Sequence, residues 1–191
     1  ENVDIFGIKM RVYIDGISPD NSQNVRIHDC DVETGDDGIV FKTSYTLNRL
    51  GVCKDIRVWD CKIKSRCNAI KFGTETNGGF EDILIENIDI YETRITGIVI
   101  ESVDGAIVDG ITVRNVKMRN VNAPIFVHVG KRMRGPEGRA VGKIKNITLP
   151  DGLKTIEESA FAASAIESIV IPDSVTTLEW YAFRYCKSLR Y

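Results

Sequence analysis

The sequence predicts an all-β solenoid of stacked parallel coils, and three observations predict it. A short phrase recurs along the chain. Every copy alternates apolar and polar residues. A second short strand follows each copy at a nearly constant distance. Repetition of this kind means stacking of like on like, and alternation is the period of a β-strand.

The phrase first reads Asn24-Val25-Arg26-Ile27-His28-Asp29-Cys30 and returns as Asp55-Ile56-Arg57-Val58-Trp59-Asp60-Cys61. It comes again as Asp82-Ile83-Leu84-Ile85-Glu86-Asn87-Ile88 and as Gly110-Ile111-Thr112-Val113-Arg114-Asn115-Val116, with a fainter copy from Asn146-Ile147-Thr148-Leu149. The second strands are Ile39-Val40-Phe41, Ile70-Lys71-Phe72, Ile98-Val99-Ile100 and Ile125-Phe126-Val127. Val25, Ile56, Ile83 and Ile111 are spaced by 31, 27 and 28 residues, one coil each, so five coils are expected. β-Branched residues dominate and no i, i+3, i+4 stripe appears, which excludes an α-solenoid. Stacking turns each inward position into a column: Val25, Ile56, Ile83 and Ile111 in one, Ile27, Val58, Ile85 and Val113 in another. Asp29, Asp60, Asn87 and Asn115 form a polar column that reads as turn architecture, because short Asx side chains bond turn backbone.

From Leu149 the rule changes. Leu149-Pro150-Asp151 recurs as Ile171-Pro172-Asp173, and Leu153, Ile156, Ala160 and Phe161 recur as Val175, Leu178, Ala182 and Phe183. With Cys186-Lys187-Ser188-Leu189, this pattern over residues 143–191 resembles the leucine-rich repeats of bacterial surface antigens. Two such units are too few to fold alone. They are expected to lie on the preceding coils, stack Phe161 on Phe183 and close the open end. The expected division is residues 1–148 as coils and 149–191 as a C-terminal cap.

Net charge is −2, with both signs interspersed, which argues against a nucleic-acid partner. No apolar run reaches the roughly 18 residues of a membrane span. No basic n-region with an apolar stretch opens the chain, and the start at Glu1 without Met reads as a processed, tagged or truncated product. Arg132, Arg134 and Arg139 lie in a Gly/Pro-containing stretch and read as a solvated loop. The five cysteines match no zinc framework. Cys30 and Cys61 share a place in consecutive repeats, where they are expected as reduced, buried hydrophobes. No cofactor and no metal are expected.

Asp15-Gly16-Ile17-Ser18-Pro19-Asp20 and Gly35-Asp36-Asp37-Gly38 carry a second resemblance. The Asp-Gly and Gly-Asp-Asp motifs resemble those of glycoside hydrolase family 28, the polygalacturonases, over roughly residues 1–148. The resemblance implies a right-handed parallel β-helix and hydrolysis of pectic polymers with inversion. Setting Ile17 against Ile39 brings Asp15 over Asp37, so three carboxylates converge on one patch. The family would make Asp36 the general acid and have Asp15 and Asp37 hold the attacking water. Asn68 stands where the family has His, and Val99-Ile100-Glu101 stands for its Arg-Ile-Lys. Glu101 would repel an anionic sugar. Asn68, Lys71 and His128 are the candidate substrate contacts, and Lys42, Lys71 and His128 are expected as solvated side chains on the same face.

The favoured expectation is a truncated or engineered chimeric scaffold with no efficient catalysis. The alternatives are an inverting hydrolase of pectic polysaccharide and a surface carbohydrate-binding module. Plant cell-wall polysaccharide is the expected partner, and end-to-end association through residues 1–22 is expected from the lower rim. The families resembled are secreted or cell-surface bacterial proteins.

Overall fold

The computed structural model describes residues 2–156, 158, 160–162 and 164–190. Its strands are β1 (Val3–Phe6), β2 (Lys9–Val12), β3 (Gln23–His28), β4 (Asp31–Thr34), β5 (Ile39–Thr43), β6 (Val52–Ser65) and β7 (Asn68–Thr76). They continue with β8 (Gly79–Ser102), β9 (Ile107–Val129), β10 (Lys143–Thr148), β11 (Thr155–Ile156), β12 (Ile169–Val170) and β13 (Thr177–Leu178). Every pairing among them is parallel. The principal path runs β1-β3-β6-β8-β9-β10-β12, each strand lying on the next coil's equivalent.

The first apolar column extends beyond the four expected residues at both ends. Val3 pairs with Val25, then Ile56, Ile83, Ile111, Ile147 and Ile169 follow in unbroken register. The second runs Ile5, Ile27, Val58, Ile85 and Val113. A third wall stacks Ile17, Ile39, Ile70, Ile98 and Ile125. Phe41 and Phe72 lie beside that wall with ring centroids 4.8 Å apart. All of these side chains but Val3, which is exposed on the first coil, face one continuous core. Burying each contributes about 1.5–3 kcal/mol, and this term holds the coils together.

The corners follow from backbone conformation. β8 has 24 residues, which as a straight strand would run roughly 80 Å. It bends instead at Asp82, Asn87 and Glu92, all with positive φ. β9 bends at the equivalent Gly110, Asn115 and Asn120. The expected Asx column is a column of left-handed corners: Gly7, Asp29, Asp60, Asn87 and Asn115 have φ between 51° and 64°. Asn, Asp and Gly are the residues that tolerate this region. The Asn115 amide also donates to Asn87 Oδ1 at 3.1 Å, linking two corners.

The C-terminal repeats continue the core. β10 pairs with β9 on one side and β12 on the other, Ile144 bridges to Ile166, and β11 pairs with β13. Phe161 and Phe183 stack with centroids 4.9 Å apart and planes 10° from parallel. The cover is narrower than expected. β10 meets only the first part of β9, and among the described residues no strand pairs above the rest. A groove of about 290 Å³ opens there between Pro124, Ile125 and Phe126 on one side and Leu153, Ile156 and Phe161 on the other. The reason is unit length: a 22-residue repeat cannot supply all three walls of a coil of nearly 30 residues.

Two outcomes test this packing. Asp60→Val places a β-branched residue at φ 53° and is expected to cost about 1–3 kcal/mol, while Asp60→Gly stays within about 0.5 kcal/mol of the parent by urea unfolding. Cys30, Cys53 and Cys61 are free and buried. Burial pushes the Cys53 thiol up to about 11 and the Cys61 thiol up to about 12. A native thiol titration should therefore label Cys67 and Cys186 first and reach the other three only on unfolding.

Candidate functional site

The three carboxylates sit where two coils turn past one another. Thr34 and Ser65 hydroxyls both donate to the Asp36 carbonyl, at 2.6 and 2.5 Å, and fix the tight turn that carries Asp36 and Asp37. The turn passes so close to its neighbours that glycine is required. A Cβ on Gly35 would lie 2.6 Å from the Tyr13 carbonyl oxygen, one on Gly38 2.5 Å from that of Ala69, and one on Gly16 2.4 Å from that of Gly38. The Ile17–Ile39 bridge sets Asp15 over Asp37 as the sequence predicts. An oxygen from each of Asp15, Asp36 and Asp37 lies within 4.8 Å of the other two.

The carboxylates differ in their partners. Asp15 accepts from the Asp37 N–H at 3.2 Å through one oxygen and from Lys42 Nζ at 3.0 Å through the other. Asp37 is buried. One of its oxygens accepts from the Asn68 N–H at 3.2 Å and from Asn68 Nδ2 at 2.7 Å, and the other faces Lys71 Nζ at 3.0 Å. Asp36 is exposed and has no ion pair among the described residues. The Cys67 thiol lies beside it, and burial together with that carboxylate raises the thiol's pKa. Three convergent oxygens are a donor set for a hard cation, but Lys42 and Lys71 already bring positive charge to two of them.

The expected solvated lysines are therefore not solvated. The Lys71 side chain is 16% exposed and the Lys42 side chain 27%, each against a carboxylate. Burial pulls the Lys42 ammonium down, yet the hydrogen bond and charge of Asp15 leave it above its ordinary value. Asn68 is buried and bonds Asp37. His128 is exposed, with its ring stacked 5.7 Å from Phe126. Along the outward row, Lys71 is followed by Val99 and Phe126, and Glu101 pairs in register with His128. Burial pushes the Glu101 carboxyl above the usual carboxylate range, against the pull of Lys71, His128 and Arg132.

The loop of Arg132, Arg134 and Arg139 also departs from expectation. Asp104, whose side chain is fully buried, accepts from Arg132 Nε at 3.0 Å, from Arg132 Nη2, from the Arg134 N–H at 2.9 Å and from the Thr76 N–H at 3.3 Å. Arg139 donates to the carbonyls of Asp104 and Gly105 at 2.8 and 2.9 Å. The loop is a clamp on a buried carboxylate. Nothing in residue spacing announces it, because the partners come from separate segments.

Comparison with known proteins agrees with this architecture. Residues 139–191 match the family described as BspA type leucine rich repeat region (6 copies). The polygalacturonase from Erwinia carotovora ssp. carotovora superposes with TM-score 0.60 at 20% identity, covering 92% of this chain and 51% of that one. A family 28 exopolygalacturonase of Yersinia enterocolitica gives 0.55 at 20% identity, covering 86% and 29%. The chain thus spans about half the length of the first and under a third of the second, and it shares their right-handed β-helix fold. No curated protein matches it.

The clamp has a pH signature. Burial raises Asp104, but the bonds from Arg132, Arg134 and Thr76 outweigh it and hold the carboxyl below its usual value. A lowered folded pKa contributes stability above the unfolded value of about 3.9 and loses it as pH falls through the folded value. Asp104→Asn should flatten the acid limb of a urea-stability profile below about pH 4. Arg132→Met, which leaves the buried carboxylate unpaired, should cost about 3–5 kcal/mol at neutral pH.

Proposed function

We propose that this chain is a composite β-solenoid scaffold, with hydrolase-type coils over residues 1–148 joined to leucine-rich-type repeats over 149–191. It presents a polysaccharide-binding face and has no efficient hydrolytic activity. One observation carries the reading: every carboxylate oxygen of Asp15 and Asp37 accepts a hydrogen bond or ion pair from the chain itself. In the hydrolase family resembled, these two residues would hold and activate water. Here Lys42, Lys71 and Asn68 satisfy them, and no histidine stands beside Asp36. Enzymes of this kind gain rate from positioning and from groups aimed at developing charge. Both are reduced when the base is engaged and a carboxylate, Glu101, replaces a cation.

A second reading, hydrolysis of pectic polysaccharide, is favoured by a separate observation. Asp36 is exposed, and an oxygen of each of two further carboxylates lies within 4.8 Å of one of its own, a grouping of carboxyls of the kind glycoside hydrolysis uses. A reducing-sugar assay on polygalacturonate and on neutral pectic side chains separates the two. Equal background rates for the chain and its Asp36→Asn variant are expected. Turnover that disappears in Asp36→Asn would overturn the scaffold reading and establish Asp36 as the acid.

A further inference from the structure

The charges on the Asp36 face do not balance. Lys42 is paired with Asp15 at 3.0 Å, Lys71 with Asp37 at 3.0 Å and Arg132 with the buried Asp104. Lys42, Lys71 and Arg132 thus each already face a carboxylate. Asp36 and Glu101 remain, and neither has an ion pair within 4.0 Å among the described residues. Glu75, 3.8 Å from Lys42, shares a cation with Asp15 rather than adding one. Among these groups six carboxylates, Asp15, Asp36, Asp37, Glu75, Glu101 and Asp104, stand with three cations, Lys42, Lys71 and Arg132.

Shape gives an independent indication. Beyond Lys71 the outward row is apolar: Val99 is buried as floor and Phe126 is 43% exposed, its ring stacked on His128. Glu101 lies beside this platform, packed over Gly73, where an added Cβ would meet its Oε2 at 3.4 Å. An aromatic face next to a carboxylate accepts the C–H face of a sugar ring and hydrogen bonds from its hydroxyls.

We propose that this face takes an uncharged polysaccharide and rejects uronate polyanions, with Glu101 as the residue that sets the discrimination. The proposal rests on the reading of the face as polysaccharide-binding. A polymer bearing a carboxylate on every ring meets Asp36 and Glu101 as like charges, and the interaction weakens with salt over the Debye length. A neutral polymer meets no such term. Charge repulsion of this kind yields specificity through the partner it excludes.

Polygalacturonate and fully methyl-esterified pectin have the same backbone and differ in charge, so they isolate the effect. Binding of the intact chain to each is measured by calorimetry at pH 7.5, where imidazole is largely neutral, at about 20 mM and about 0.5 M salt. The esterified polymer is expected to bind about tenfold tighter at low salt, equivalent to about 1.4 kcal/mol. Polygalacturonate binding should strengthen as salt rises. Glu101→Gln should narrow the ratio about fivefold by strengthening polygalacturonate binding, and Phe126→Ala should weaken both polymers alike. Equal or tighter binding of polygalacturonate, its weakening by salt, or an unchanged ratio in Glu101→Gln would overturn the inference and leave the binding reading standing. If neither polymer binds, the binding reading falls and the inference with it.

Discussion

The structure depends on one constraint: each coil must lie in register on the coil below. Parallel strands offer every backbone N–H and C=O a partner in the neighbouring coil, and buried backbone groups must be satisfied. Register can be kept over so many coils only if the corners repeat as faithfully as the walls. The left-handed corners at Asp29, Asp60, Asn87 and Asn115 provide that repetition. The apolar columns then form without further instruction, since each inward residue meets its own kind. Local conformation, inter-coil bonding and core packing all favour the same stack.

The same constraint builds the candidate site. Asp15 comes from one turn and Asp36 with Asp37 from the next, and they meet because Ile17 lies under Ile39. The next coils add Lys71, Asn68, Glu101 and His128 by the same stacking. A charged side chain placed on this face is thereby given neighbours at short range. Lys42 and Lys71 are held out of full solvent by the carboxylates below them. A partly buried ion pair recovers its desolvation cost only with good geometry and satisfied remaining atoms, and Asn68 supplies the missing bonds on Asp37.

The fold was legible in the sequence because columns repeat, and a repeated residue needs no knowledge of distance. Val25, Ile56, Ile83 and Ile111 could be aligned by eye, and so could Phe161 with Phe183. The carboxylate trio was legible through its Gly-Asp-Asp spacing and the same alignment. Three features were not. The pairing of Lys42 and Lys71 depends on how two long side chains bend across a face, which alternation does not encode. The Arg132 clamp joins a loop to a buried Asp104 in an earlier coil, and loops have no column to betray their partners. The partial cover above β9 depends on comparing two unit lengths, and a 22-residue repeat leaves part of the wall open.

The glycine contacts at Gly16, Gly35 and Gly38 have a geometric consequence. There the backbone N–H groups of Gly16 and Gly38 donate to the Asp37 and Asn68 carbonyls at 2.9 and 2.8 Å and fix the interval between coils, so the face behaves as a ruled grid with one side chain per node. Adjacent nodes across coils are roughly 4.8 Å apart, and alternate ones about twice that. Glycosidases use carboxyl separations of about 5–5.5 Å for retention and about 6.5–9.5 Å for inversion. On such a grid the stereochemical outcome becomes a matter of address: moving an acidic residue from a neighbouring coil to the next one out changes the available chemistry, while the backbone that carries it stays where it is.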